Sequence, residues 1–359
     1  MSEICNNLKH QLLKSIVSSS KIFIVGHNEP DFDSLSSAIG IQSLCTFLGR
    51  EAYIIVNDQD TELEPSVKKI IESSKEKYNI IKLPDFLNLI GNDCSLVVVD
   101  ANKKYQLSVS EYLDLFKNTI VIDHHNPDQH TIDSTYSYIE PTISSTAEIV
   151  ARLLNEFNVP YTADVANYLL AGIQLDTNRY KKNTTSITHD VAEKLIDKGA
   201  NPDFVNELFL AEFETDSRIN NLVYNGTIFE KYERSLFQYS QVSFTLNKTA
   251  PQTIYKKEDL AKAADKLLEY PVDAAFVLGF IKDNLVSISA RSKSNINVGE
   301  IMEAFTGGGN ASSAACKVAT TDIESLEEDL KRVVGSKLNK KSLNNTLAFV
   351  EPPYIKVKK

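Results

Sequence analysis

The sequence has no run of 18 or more apolar residues, so it encodes no transmembrane helix. Its first residues, Met1-Ser2-Glu3-Ile4-Cys5-Asn6-Asn7, lack the basic and then apolar regions of a secretory signal. Only four cysteines occur (Cys5, Cys45, Cys94 and Cys316), far apart and with no C-x-x-C spacing. That excludes a cysteine zinc site and a disulfide framework, and a reduced, cytoplasmic protein is expected. No internal repeat or low-complexity tract is visible, which excludes a solenoid. Positive charge is short as well. With 38 Lys and Arg against 48 Asp and Glu the net charge is −10, which counts against a protein that grips long nucleic acid through its phosphates. A small anionic substrate is not excluded, since metal ions and a few basic side chains can supply positive charge locally.

What is present is ordinary globular composition, 42% hydrophobic and 24% charged over 359 residues, enough for two domains that each bury a core. Two short stretches stand out. Lys21-Ile22-Phe23-Ile24-Val25 is an apolar run of strand length, followed by Gly26-His27-Asn28-Glu29-Pro30-Asp31-Phe32-Asp33 and then the helical pattern Ser34–Ile41. One imidazole and two carboxylates thus occupy a strand-to-helix turn, which in an open α/β sheet lies at the carboxyl edge where ligands bind. Asp123-His124-His125 follows a second such run, Thr119-Ile120-Val121-Ile122, and should reach the same edge. Mixed His and Asp ligands suit Mn²⁺, Fe²⁺, Co²⁺ or Zn²⁺ better than Ca²⁺. Either cluster alone could be a solvated loop; both directly behind buried-looking strands are hard to ascribe to chance.

Strands alternate with helices through the first half: a leading helix over 8–18, strands over 21–25, 51–56, 78–83, 95–100 and 119–122, helices to about 49 and over 66–75. Runs that are apolar on both faces argue for a parallel sheet covered on both sides. Helices are expected from Glu140-Pro141-Thr142-Ile143-Ser144-Ser145-Thr146-Ala147-Glu148 onward, over 166–178, and over 187–232 with a break at Gly199–Pro202. A smaller C-terminal α/β domain follows, with strands over 236–244, 274–280 and 285–292. Its helices are expected over 256–270, 297–305 and 322–334, with a glycine run at 307–309. The expected division is 1–210 as a first domain, 211–232 as helical connector, 233–335 as the smaller second domain and 336–359 as a loosely ordered basic tail.

The two stretches resemble the first and third motifs of the DHH phosphoesterase superfamily, named after its Asp-His-His triplet. Asp100, which closes the run Ser95–Val99, resembles the second motif, and Leu170-Ala171-Gly172-Ile173-Gln174-Leu175-Asp176-Thr177 the fourth. Ser289-Ala290-Arg291-Ser292 and Gly307-Gly308-Gly309-Asn310 resemble the substrate-binding domain that accompanies DHH domains in phosphodiesterases. One departure is plain: Asn310 stands where the family usually has His, and an amide cannot act as a general acid near neutral pH.

The resemblance implies two divalent metals, Mn²⁺ first and Co²⁺, Fe²⁺ or Mg²⁺ as substitutes. His27, Asp31 and Asp100 would hold one; Asp33, Asp100, His124 and Asp176 would hold the other. It also implies that Asp123 orients His124, that His125 and Arg291 meet the substrate phosphate, and that Ser144 and Ser145 lie beside the site. Gly307, Gly308, Gly309 and Asn310 would shape a base pocket, with the active site in a cleft between the domains. Among branches, S-S-T-A-E, L-L-A-G-I-x-x-D-T and S-I-S-A-R-S look most like the cyclic-di-AMP phosphodiesterases, which usually carry membrane helices in front. A free-standing chain looks more like the nano-RNase/pAp phosphatases. The expectation is a phosphodiesterase for a small adenine dinucleotide, cyclic-di-AMP or linear pApA. The alternatives are a nano-RNase/pAp phosphatase and an inactive nucleotide sensor. No long nucleic acid and no membrane are expected as partners, and a homodimer is left open.

Overall fold

The computed structural model describes residues 4–57, 63, 65–210, 213–234, 239–249, 253–293 and 296–344. The chain divides into two compact units between Leu210 and Ala211.

The first unit runs α1 (Ile4–Val17), β1 (Lys21–Val25), α2 (Phe32–Phe47), β2 (Ala52–Val56), α3 (Pro65–Ser74), β3 (Ile80–Lys82), α4 (Leu83–Leu89) and β4 (Cys94–Val99). After two short 3-10 turns come β5 (Asn118–Asp123), β6 (Tyr136–Ile139), α5 (Thr146–Glu156), α6 (Ala163–Asp176), α7 (Ser186–Asp197) and α8 (Pro202–Leu208). All six strands pair in parallel, in the order β3-β2-β1-β4-β5-β6. The central strands are apolar on both faces because both faces are covered. Ile22, Ile24, Val97, Val99, Ile120 and Ile122 enter one core, with α2, α5 and α6. Phe23, Val25, Leu96, Val98 and Val121 enter the other, with Phe86 and Phe116. Strand order reverses between β1 and β4, and in an open parallel sheet that switch point opens a crevice at the carboxyl ends.

α2 is the central helix of one layer, with most of its residues buried. Gly172 lets α6 close on it: a Cβ there would stand 2.6 Å from Ser36 Oγ and 2.8 Å from the Ala147 Cβ. Several elements differ from expectation. The stretch 78–83 splits into a three-residue strand and α4, because Pro84 sits in the first helical turn, where its missing N–H costs nothing. β6 is an edge strand of four residues, too short for its alternation to register as a pattern. β12, below, follows the glycine run where no strand was expected.

The second unit contains α9 (Phe213–Tyr224), β7 (Thr227–Arg234), β8 (Tyr239–Lys248), α10 (Lys257–Leu267), β9 (Ala274–Lys282), β10 (Leu285–Ser292), α11 (Val298–Glu303), β11 (Gly308–Gly309), β12 (Ser313–Ala319) and α12 (Ile323–Asn344). Its sheet has the order β11-β12-β10-β9-β8-β7. The β8–β9 pair is parallel and the others antiparallel. One face packs Phe276, Leu278, Ile288 and Ala290 against α11 and α12. On the other face Ala275 and Val277 pack with Leu260, Ala263 and Leu267 of α10 and with Ile219, Leu222 and Val223 of α9.

The stretch 211–232, expected as a helical connector, therefore belongs to the second unit: α9 shares its core and β7 pairs with β8. The helix ends at Asn225-Gly226, and the chain continues as a strand because β8 offers it a partner. Residues 336–344, expected in the tail, continue α12; the rest of that tail, 345–359, lies outside the described residues.

Candidate metal centre

Strand β1 delivers His27 just past its carboxyl end, and β4 delivers Asp100 beside it across the switch point. Asp100 holds a left-handed backbone, φ +56°, a conformation that is strained for most residues but that Asp tolerates better than most. Asp31 is the N-cap of α2, its Oδ1 accepting from Ser34 N at 3.0 Å, so the helix start fixes this carboxylate. Asp33, in the first turn of α2, is fully buried. Its two oxygens accept from the amides of Thr146 (2.8 Å) and Ala147 (2.7 Å). Those are the first two residues of α5, whose amides have no partner within the helix, and the dipole there favours an anion. Asp176 is the last residue of α6, at the negative end of a helix, where a carboxylate is unfavourable unless a cation opposes it.

These residues converge. His27 Nε2 lies 3.8 Å from Asp31 Oδ1 and 3.6 Å from Asp100 Oδ2. His124 Nε2 lies 2.8 Å from Asp176 Oδ2, 3.7 Å from Asp33 Oδ2 and 3.7 Å from Asp100 Oδ1. Within the groups His27–Asp31–Asp100 and Asp33–His124–Asp176, the potential ligand atoms all lie within 4.8 Å of one another. The two oxygens of Asp100 face different groups. His124 Nε2 is buried, and at 2.8 Å from Asp176 Oδ2 the pair is close but poorly aligned for a hydrogen bond.

The electrostatics require positive charge. Burial, with Asp100 and Asp176 alongside, pushes the Asp33 carboxyl well above the usual carboxylate range. Burial, with Asp31 and Asp176, does the same to Asp100. On Asp31 burial acts upward too, but His27 outweighs it and the carboxyl stays below its ordinary value. Burial opposes charge on the rings of His27 and His124; Asp31 for the first, Asp176 and Asp33 for the second, outweigh it and raise both. Four carboxylates this close are stable as anions only around cations. The mixed imidazole and carboxylate donors fit first-row divalent metals.

Asp123 differs from expectation. Its Oδ1 accepts from His125 Nδ1 at 2.8 Å and from the backbone amides of His124 and His125 at 2.8 and 3.2 Å. It therefore orients the ring of His125 and reaches His124 only through its backbone. The bond to Asp123 raises the His125 pKa, against burial. Asn102 braces the same turn, its Nδ2 donating to His125 O at 2.9 Å.

Ser144 and Ser145, expected beside the substrate, are fully buried and occupied. Ser144 donates to Glu148 at 2.6 Å, and Ser145 caps α5 by accepting from the Glu148 amide. The residue of this segment that meets the centre is Thr146, whose Oγ1 donates to Asp100 Oδ1 at 3.2 Å. Its signal in the sequence was its place as the first residue after a helix cap. Past Asp176, the left-handed residues Asn178, Arg179 and Tyr180 (φ +47°, +55°, +63°) turn the chain sharply beside the centre.

In the second unit, Arg291 and Gly307–Gly309 line one cavity of about 700 Å³. Arg291 Nε is 2.9 Å from Asp265 Oδ1. Gly307 is required by close approach, since a Cβ would meet Ala315 O at 2.4 Å. Asn310 does not line that cavity. Its Oδ1 accepts from Ser312 N, Ser312 Oγ and Ser313 N, so the amide closes a local turn rather than facing a base.

Both halves of the chain are similar to known proteins. The model of the DHH family N-terminal domain matches residues 21–173 and that of the DHHA1 domain residues 237–336. The cyclic-di-AMP phosphodiesterase PdeA of Listeria monocytogenes is 31% identical over 90% of this chain and 48% of its own length, so the chain spans about half of that relative. The bifunctional oligoribonuclease and PAP phosphatase NrnA of Thermus thermophilus is 23% identical over 92% of this chain and 93% of its own. The crystal structure of an exopolyphosphatase-related protein from Bacteroides fragilis superposes with a TM-score of 0.74 at 18% identity, covering 95% of this chain and 98% of that one, and shows the same fold. With the Asp-His-His triplet at the carboxyl end of β5 and both domain models matched in order, the chain belongs to the DHH family, a DHH domain followed by a DHHA1 domain.

Proposed function

We propose that this protein is a two-metal phosphodiesterase for small adenine dinucleotides, cyclic-di-AMP and its linear product pApA, with Mn²⁺ as the working metal. The observation that carries the reading is the bridging posture of Asp100, one oxygen toward His27 and the other toward His124. His27, Asp31 and Asp100 would hold one cation, and Asp33, Asp100, His124 and Asp176 the other. When bound, such a pair supplies Lewis acidity at phosphorus and a water acidified to near-neutral pKa.

The chain's own residues supply the rest. The Asp123 carboxylate can only accept, so His125 Nδ1 carries a proton. The ring is half exposed, and its raised pKa keeps Nε2 protonated further into the neutral range, ready to donate to a phosphate oxygen or leaving group. Arg291, placed by its bonds to Asp265 and Ala290 O, offers its remaining guanidinium N–H groups to a phosphate. The adenine dinucleotide assignment is supported by the likeness to PdeA.

A second reading, a nano-RNase and 3′,5′-bisphosphate nucleotidase, is favoured by the match to NrnA over nearly all of that protein's length. Incubating the purified protein and Mn²⁺ with cyclic-di-AMP, pApA and pAp in parallel, with products separated chromatographically, tests both. Conversion of cyclic-di-AMP to pApA and AMP is expected. Turnover of pAp and short RNA alone would favour the second reading, and no turnover of any would leave an inactive nucleotide-binding protein.

A further inference from the structure

Helix α10 covers only part of the sheet face on which it lies. Its apolar side packs on β9, at Ala275 and Val277. On that face the strip formed by β10 and β12 is buried at Ser287 and Ser289 and exposed at Ala315 and Lys317. There the register places Ser287 beside Lys317, Ser289 beside Ala315 and Arg291 beside Ser313. This strip is the floor of the cavity of about 700 Å³. Small residues leave the space, and the polar side chains mark its two ends.

Arg291 stands at one end. Four residues along β10, or about 13 Å at strand rise, Ser287 and its partner Lys317 mark the other. Lys257, the first residue of α10, lines the cavity too, as does Glu258. Lys257 and Lys317 are close enough that Lys257 depresses the Lys317 pKa, with Lys282 adding to the field. Neither Lys257 nor Lys317 has an ion-pair partner among the described residues. Two ammonium groups brought together at the mouth of a concave, small-residue pocket repel each other until an anion bridges them. Phosphate, with several acceptor oxygens, can take both.

We propose that Lys257 and Lys317 form a phosphate subsite in this cavity, holding the phosphoryl group of a dinucleotide that is not being cut. The identity of the ligand rests on the phosphodiesterase reading above; the anion site itself does not. The occupant is either the 5′-terminal phosphate of a linear dinucleotide or the second diester of a cyclic one.

Isothermal titration of the full-length protein, without divalent metal so that nothing is hydrolysed, tests this with pApA, cyclic-di-AMP and ApA as ligands. The wild-type protein is expected to bind pApA at least about tenfold more tightly than ApA, as a charge-assisted contact implies. In K257Q/K317Q the pApA-to-ApA affinity ratio should fall toward one. Both lysines are exposed, and circular dichroism checks that the variant is folded. A fall for pApA alone assigns the subsite to a terminal monoester, and a fall for cyclic-di-AMP as well assigns it to any second phosphate. Equal wild-type affinity for pApA and ApA, including binding of neither, or a ratio that survives the double substitution, overturns the proposal. A protein that shows the lysine-dependent preference yet hydrolyses none of the three ligands with Mn²⁺ would keep the subsite and lose the phosphodiesterase reading.

Discussion

The carboxylate of Asp123 is bound to the ring of His125, Oδ1 to Nδ1 at 2.8 Å, and to His124 only through its backbone amide. The first acid of the triplet thus serves its last residue, leaving the middle imidazole turned toward Asp33, Asp100 and Asp176. A two-residue step along an extended chain returns a side chain to the same side, whereas the adjacent residue points away.

This pairing predicts a shift in pH dependence. Asp123 raises the His125 pKa, so the protonated ring persists to higher pH than an ordinary histidine would. In Asp123→Asn that charge is gone, and His125 loses its proton at lower pH. The alkaline limb of the kcat profile should move to lower pH, in the same direction in H₂O and D₂O. An unmoved limb would remove His125 from proton transfer.

Asp100→Ala should dismantle both metal sites at once. Metal content measured by plasma mass spectrometry is expected to fall from two equivalents to below one. Turnover should fall by about 10³-fold or more, since a metal pair contributes several kcal/mol to such a reaction. Two retained equivalents would refute the bridging arrangement.

Thr146→Val removes the hydroxyl that donates to Asp100 Oδ1 but keeps both backbone bonds to Asp33. Losing such a support of a ligand typically costs about 10–100-fold in metal affinity, which chelator competition will read. The metal-free thermal stability of the variant should change little by comparison.

The metal-free protein should become more stable as the pH falls from neutral. Asp33 and Asp100 have folded pKa values raised well above those of the unfolded chain. Their protonated forms therefore favour folding below the unfolded value, and this contribution is lost as pH rises through the raised folded values. His27 and His124, also raised, act in the same direction. Asp31 is lowered, and its contribution is lost only below the ordinary carboxylate range near pH 4. Calorimetry in a chelator between pH 8 and about 5 should show Tm rising toward acid, and Mn²⁺ should reverse the trend by favouring the anions. A metal-free Tm that falls over this window would contradict the charge-crowded centre.

Much of this protein was legible in its sequence. The strands β1, β4 and β5 announced themselves because a parallel sheet covered on both faces needs unbroken apolar runs. His27, Asp31, Asp33, Asp100, His124, His125 and Asp176 were legible because their residue types recur at strand and helix ends in a known order. Tertiary structure decided what depends on neighbours distant in the chain. Ser144, Ser145 and Thr146 are three adjacent hydroxyls. Ser144 and Ser145 turn to Glu148 in their own segment, and only the packing of α5 against α2 gives Thr146 and its amide to Asp100 and Asp33. The stretch 227–232 reads as a continuation of a helix until β8 supplies a strand partner. The lysine pair at the cavity is a matter of register alone: Lys257 and Lys317 are sixty residues apart and meet because β12 pairs with β10 beside the start of α10. Periodicity records how a segment meets solvent and core, whereas contacts between segments are set by sheet order and register, which no local pattern encodes.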